Sequence, residues 1–338
     1  MAVNIDWNNL GFDYLKTNVN IRYSFHNGQW SDMVVTDDEY IHMHMSTMCL
    51  HYGIEAFEGL KAFRGVDGKV RLFRVDENAK RLKASAEKLC MTPLPEDMFI
   101  NAVIECVKRN IDFVPPYESG ASLYIRPVIF SSKVTLGVHP GPDTDFIVFC
   151  SPVGPYFKGG MQAIKVMVDR FQDRAAPRGT GDIKAGGNYA SSLLSGEKAV
   201  SMGYSNVMYL DAVERNYIEE CGAANFFGIK GNTYVTPKSP SILPSITNKS
   251  LRAIAEDMGM TVEQRPVPVS ELKEFDEAGA CGTAAVISPI GMIFDVDTKE
   301  VVEYKAAPGP VSLALYNKLR DIQYGRAEDK FGWNTVVE

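Results

Sequence analysis

The sequence predicts two domains of mixed α/β (α+β) structure, and three observations carry that prediction. At 338 residues the chain is long enough for two cores of ordinary size. Helical and strand-like periodicities alternate along it, with many short strands. The stretch "GPYFKGGMQ" (154–162) combines Gly with Pro in the manner of a linker. The division that follows is a small N-terminal domain over 1–153, a linker over 154–162 and a large C-terminal domain over 163–338.

The first domain opens with short strand-like pieces. "LKAFRGVDGKVRLFR" (60–74) is two β-rich runs about Asp67 and Gly68, which reads as a hairpin. Asp76 is placed to cap a helix over about 77–90, where Ala79, Leu82, Ala86 and Leu89 share one face. A second helix over about 96–111 presents Phe99, Val103, Val107 and Ile111, and strands follow at 121–130 and 145–153. Beyond the linker come a strand at 163–169, a glycine-rich loop, a helix over about 188–202 and strands near 205–210 and 224–236. Helices near 247–259 and 310–323 complete the pattern. There is no internal repeat, and strand order does not follow from these periodicities.

With 45% hydrophobic and 23% charged residues, the composition belongs to a globular chain rather than a disordered or fibrous one. A formal charge of -7 disfavours nucleic acid and anionic membrane as partners, leaving small molecules as the expected clients. The cysteines at 49, 90, 106, 150, 221 and 281 include no C-x-x-C pair, and most sit in apolar runs, as buried reduced thiols do. The start of the chain has neither a basic n-region nor an apolar h-region, and no apolar run approaches the roughly 18 residues of a membrane span. A cytoplasmic protein is expected.

The most informative segment is "GTGDIKAGGNYAS" (179–191), a single lysine, Lys184, set among glycines. It lacks the spacing of a phosphate-binding P-loop, and no G-x-G-x-x-G opens a helix after a strand. The other use for one amine in so bare a frame is covalent. A partly desolvated lysine becomes a nucleophile able to condense with a carbonyl, including the aldehyde of pyridoxal phosphate. That cofactor also asks for phosphate donors, an acid near its pyridine nitrogen and a phenol near its ring oxygen. In "YIEECGAANFFG" (217–228) either Glu219 or Glu220 can serve as the acid, although by themselves these residues read first as an ordinary solvated charge pair. "LPSITNKSL" (243–251) leads into a helix whose amides favour an anion; Thr247 reads alternatively as a plain N-cap. "ACGTAAV" (280–286) offers Thr283, and Arg81 either binds phosphate or lies on a solvated helix face. "HMH" (42–44) has spacing that could set two imidazoles on one strand face, but two histidines alone do not make a metal site, so no metal is expected. Asp182 reads as a solvated loop carboxylate, and Cys281 as a structural thiol.

Taken in order, "LHYGIEAFEGLKAFRG" (50–65), "RLFRVDENAKRL", "LYIRP", "SPVGPYF", "KAGGNYASSL", "EECGAANFF", "LPSIT" and "CGTAAVISPI" resemble the fold-type IV pyridoxal-phosphate enzymes, and among them the branched-chain amino acid aminotransferases. The resemblance spans nearly the whole chain and implies the two-domain architecture of the D-amino acid aminotransferase type. It implies that Lys184 carries the cofactor, that Tyr189 meets its ring oxygen, and that Glu220, five residues before Asn225, serves the ring nitrogen. Asn225 belongs to the same cofactor set. Arg81, Ile246, Thr247 and Thr283 are implied as the phosphate cup. Thr283, Ala284 and Tyr124 are implied at the substrate α-carboxylate, and Arg126 at the second carboxylate of glutamate. Phe57 and Tyr156 are implied as pocket walls. Tyr52, Leu136 and Val138 match residues contributed by a neighbouring subunit, which implies at least a homodimer.

Two departures stand out. Ala285 and Ser288 occupy the positions of a redox Cys-x-x-Cys found in mammalian relatives, so no thiol switch is expected there, and Ala223 replaces a threonine of some relatives. The activity implied is ping-pong transfer of the amino group of leucine, isoleucine or valine to 2-oxoglutarate, with Lys184 as general acid and base. D-amino acid transamination, aminodeoxychorismate cleavage and non-covalent phosphate or nucleotide binding remain the alternatives; "YIRP" and "GGNY" favour the first reading. The order of preference among the three branched substrates is not encoded legibly.

Overall fold

The protein, described here from a computed structural model over residues 5–337, forms two compact units. The first comprises Met1–Pro155, Ile183–Gly186 and Asp321–Glu338; the second comprises Tyr156–Asp182 and Gly187–Arg320. A single division at the linker therefore differs from what is seen, because two later segments return to the first unit. The strand Asn334–Val337 pairs antiparallel with Val70–Phe73, and Ala185 bridges to Ala56. Pairing at such separation leaves no local mark in composition.

The first unit is built on one sheet. Its order is Asn334–Val337, Val70–Phe73, Leu60–Arg64, Ser122–Ser131, Thr144–Val153, Asn20–His26 and Gln29–Trp30. Val34–Thr36 joins Asn20–His26, Glu55–Phe57 joins Ser122–Ser131, and every pairing among the described residues of this sheet is antiparallel. The hairpin read at 60–74 is present. Helices Val75–Lys88 and Glu96–Arg109 bring Leu82, Ala86, Phe99, Val103 and Val107 into one core with Leu72, Leu123, Ile125 and Val148. Each large side chain so buried contributes about 1.5–3 kcal/mol. Arg74, in a left-handed conformation, caps the first helix in place of Asp76. Asp76 instead lies in the first turn and meets Lys80 at 2.9 Å, where a carboxylate complements the helix dipole. Ile111 belongs to a separate 3-10 turn. Cys90, expected inside an apolar run, is exposed just beyond the helix end.

The second unit carries a mixed sheet ordered Ile218–Cys221, Asn206–Leu210, Ile164–Val168, Val286–Asp295, Glu277–Gly282, Ala224–Lys230, Thr233–Pro237 and Thr261–Arg265. Ile164–Val168 runs parallel to both its neighbours, and Thr233–Pro237 parallel to Thr261–Arg265. The strand Glu277–Gly282 is not legible in the sequence, because "EAGACG" is poor in β-formers. Its Gly279 is required by packing: a Cβ there would stand 2.5 Å from the Phe227 ring of the adjacent strand. The helix expected over 188–202 is two, Gly186–Ala190 and Leu193–Ser201. Ser191 and Ser192 turn their hydroxyls onto the carbonyls of Asn188 and Tyr189, an alternative to the helical ladder that favours a break.

Candidate active site

Within the first unit, the segment carrying Lys184 is tied to its surroundings by backbone. The Phe57 amide donates to the Lys184 carbonyl at 3.1 Å, and the Lys184 amide donates to Ser85 Oγ at 3.2 Å. Ser85 in turn donates to the Arg81 carbonyl at 2.9 Å, so the lysine is anchored to a strand on one side and a helix on the other. Its half-buried side chain sets Nζ 4.5 Å from the centroid of the Phe57 ring. The same ring lies 4.9 Å from the guanidinium carbon of Arg126. Tyr124 and Arg126 project from one face of Ser122–Ser131, as alternate strand residues must, and Arg126 Nη2 donates to the Tyr124 hydroxyl at 3.1 Å. Arg126 Nε is buried and has no hydrogen-bond acceptor. In a folded interior such a donor marks a place where an acceptor belongs.

Tyr124 and Arg126 help line a cavity of about 720 Å³ in this unit, with Phe12, Val128, Phe149 and Glu55 among its other walls. The mostly apolar lining with few polar groups suits a small organic ligand. Arg81 is not a solvated helix residue. Its Nε and Nη2 each donate at 2.7 Å to the two oxygens of Glu58, which is fully buried and also accepts from Asn78 at 2.7 Å. Bidentate pairing holds the guanidinium in one orientation.

In the second unit, Glu220 and Asn225 are directly opposed across the hairpin formed by Ile218–Cys221 and Ala224–Lys230. The five-residue spacing is thus a cross-strand pair about a two-residue turn whose Gly222 has φ +60. Glu219 and Glu220 point to opposite faces. Glu219 accepts from Ser239 at 2.8 Å, and burial pushes its carboxyl up from the ordinary range, partly offset by that hydrogen bond. Glu220, also buried, accepts the Leu243 amide at 2.6 Å and Asn225 Nδ2 at 3.4 Å, with Arg174 Nε at ion-pair distance, 3.5 Å, outside hydrogen-bond geometry. Arg174 also donates to the carbonyls of Gly181 and Ser241. This surrounding of donors suits an ionised carboxylate presented to a positively charged partner.

Ser245, not Thr247, caps the helix Ile246–Asp257, accepting the Asn248 amide at 3.2 Å. The buried Ile246 and Thr247 are the first helical residues, whose amides lack intrahelical acceptors and favour an anion. Thr283 and Ala284 occupy the short loop between Glu277–Gly282 and Val286–Asp295, half-buried. Tyr189 sits in the short helix after Lys184, half-buried. Tyr156 is exposed and edge-on to Phe157. Tyr52, Leu136 and Val138 are exposed on the first unit, where the Tyr52 hydroxyl donates to the Leu136 carbonyl at 2.5 Å. No group of residues suited to a metal occurs among the described residues, and no helix there is long and apolar enough to cross a membrane.

Three contributors, Glu58, Ser85 and Arg174, and the cavity-lining Glu55 are not legible in the sequence. Each is a polar residue in a segment that otherwise reads as core or loop. Only a carboxylate in the apolar setting of "EAFEGL" hints at a buried pair.

A family model described as amino-transferase class IV matches residues 55–293. The branched-chain-amino-acid aminotransferase of Haemophilus influenzae is 46% identical to this chain, over 99% of each. A crystal structure of the branched-chain amino acid aminotransferase of Escherichia coli superposes with a TM-score of 0.80 at 31% identity, covering 96% of this chain and 100% of that one. A branched-chain amino acid aminotransferase from Thermoproteus uzoniensis, solved with norvaline, has a TM-score of 0.76 at 26% identity, with coverage of 94% and 100%. The chain belongs to the class IV aminotransferase family.

Proposed function

We propose that this protein is a pyridoxal-phosphate-dependent branched-chain amino acid aminotransferase, exchanging the amino group of L-leucine, L-isoleucine or L-valine with 2-oxoglutarate by a ping-pong route. The observation that carries the reading is the shared ring of Phe57, with the Lys184 amine at 4.5 Å and the Arg126 guanidinium at 4.9 Å from its centroid. Full-length similarity to branched-chain enzymes supports the substrate class.

The residues present fit the cofactor. A buried carboxylate ringed by donors, a helix whose Ile246 and Thr247 amides lack intrahelical acceptors and a partly buried lysine on a fixed backbone are the groups it requires. Lys184 holds it, Glu220 and Asn225 serve its ring nitrogen, Tyr189 its ring oxygen, and Arg81, Ile246, Thr247 and Thr283 its phosphate. Bound pyridoxal phosphate supplies a carbonyl that accepts the amino group and a ring that draws electron density from the substrate α-carbon. Lys184 removes and returns the proton at that carbon. Glu220, which accepts the Leu243 amide and lies at ion-pair distance from Arg174, faces the positive charge it is proposed to stabilise. Tyr124, Thr283 and Ala284 orient the α-carboxylate, Phe57 and Tyr156 wall the apolar side chain, and Arg126 receives the second carboxylate of glutamate. Two chains pair through the surface bearing Tyr52, Leu136 and Val138, and the enzyme works in the cytoplasm.

The test is Lys184→Ala. Turnover of leucine with 2-oxoglutarate should fall by roughly 10⁴-fold or more, and borohydride should no longer fix the cofactor to the chain. Leucine turnover at the wild-type rate in that variant would refute the reading.

A further inference from the structure

Glu55 lines the cavity but is given no role in the proposed reaction. It lies two residues before Phe57 on the short strand Glu55–Phe57, which pairs with Ser122–Ser131, the strand of Tyr124 and Arg126. It lines the 720 Å³ cavity together with those two residues. Its carboxylate lies against the backbone of Gly186, where an added Cβ would overlap Glu55 Oε1. The glycine two residues after Lys184 therefore makes room for this acid.

The charged walls of the cavity are Arg22, Arg126, Asp13, Asp38, Glu39 and Glu55, and of its carboxylates Glu55 is the one on the strand paired with that of Arg126. We propose that Glu55 is the counter-charge of Arg126 and sets the balance between apolar and dicarboxylic substrates. The inference rests on Arg126 receiving the second carboxylate. With leucine bound, the one substrate carboxylate is the α-carboxylate at Tyr124, no second carboxylate reaches Arg126, and Glu55 supplies the compensating negative charge. With 2-oxoglutarate bound, that charge is redundant and repels the incoming carboxylate. Specificity is a difference of two affinities, and a built-in repulsive group is one way to set it. Consistent with this placement, burial pushes the Glu55 carboxyl up from its ordinary value, while the Gly186 amide and the charge of Arg126 pull it back.

The experiment compares wild type, Glu55→Gln and Arg126→Gln as holoenzymes, measuring kcat and KM for leucine and for 2-oxoglutarate and the calorimetric affinity for 2-oxoglutarate. Glu55→Gln should lower the ratio of KM for 2-oxoglutarate to KM for leucine about tenfold, tighten 2-oxoglutarate binding about as much, and leave kcat within about threefold. Glu55→Ser, with a smaller side chain, should shift the ratio in the same direction if the glutamine is not accommodated. An unchanged ratio in the folded variants overturns the proposal. If Arg126→Gln raises KM for 2-oxoglutarate selectively while Glu55→Gln changes nothing, only the counter-charge role fails. If Arg126→Gln affects both substrates alike, the role assigned to Arg126 fails, and the counter-charge role with it.

Discussion

Lys184 and Phe57 are joined twice: the Phe57 amide donates to the Lys184 carbonyl at 3.1 Å, and the Lys184 Nζ stands 4.5 Å from the Phe57 ring centroid. Backbone and side chain of the lysine are thus referred to the same residue, on a strand integral to the first sheet. A catalytic amine gains from such a mount because small displacements from productive geometry are costly in rate. The ring also faces Arg126, so its removal should loosen both of these side chains at once. Phe57→Leu is expected to keep the fold and to lower kcat/KM about 3- to 30-fold for both leucine and 2-oxoglutarate, the scale of one lost cation–π contact. Steady-state kinetics with each substrate varied checks this; a loss confined to one substrate would contradict the shared role.

Glu220 is a buried acid whose partners are spread over three segments. Glu220→Gln keeps the shape but removes the charge opposite Arg174. The expected outcome is a fall of roughly 10²- to 10³-fold in kcat, the scale of a lost preorganised electrostatic partner. Unfolding in urea should show a cost of about 1–3 kcal/mol, from a buried cation left less well compensated.

Leu136 is 87% exposed and Val138 69%, beside the Tyr52 hydroxyl that holds the Leu136 carbonyl. Two apolar side chains so open in one loop suit the proposed pairing surface. On the pairing proposed above, Leu136→Asp should lower the mass seen in light scattering at micromolar concentration from that of a dimer toward that of a monomer. A mass unchanged from wild type would place the assembly surface elsewhere.

Asp295 supplies a pH-dependent element of the second unit's stability. Burial alone would raise its carboxyl, but Arg170 donates to Oδ2 at 2.9 and 2.7 Å and the amides of Asp297 and Thr298 donate to Oδ1, which together hold it below the ordinary value. A carboxyl lowered on folding contributes stability that is complete above its unfolded value of about 4 and is lost as pH falls through the folded one. Asp295→Asn should therefore cost about 1–3 kcal/mol at pH 7. The gap between the two proteins, followed by urea unfolding, should close as pH drops below about 4.

The legibility of the site follows its chemistry. Lys184 stands out because one amine among glycines has few uses, whereas "EECGAAN" reads alone as a solvated charge pair, because the Leu243 amide and Arg174 that surround Glu220 come from distant segments. Arg81 is ambiguous in sequence because a helix face does not state what covers it, and what covers it is Glu58. Thr247 is ambiguous for a similar reason, since Ser245 and Thr247 are both competent caps and only the backbone course decides between them. The break after Ala190 is hidden because helical periodicity continues across Ser191 and Ser192 while their hydroxyls bond to the preceding carbonyls.

By itself the sequence determined which local elements form and which residue types are available for chemistry: the hairpin about Asp67 and Gly68, the apolar faces of the helices, the lysine in its bare loop. These depend on side-chain period and turn propensity, which act over a few residues. Only the tertiary structure decided that 321–338 returns to the first unit, that Glu58 and Arg81 face each other, and that Glu55 shares a cavity with Arg126. Those relations join residues from different strands and helices, so they depend on sheet order and register, and neither has a local sequence period.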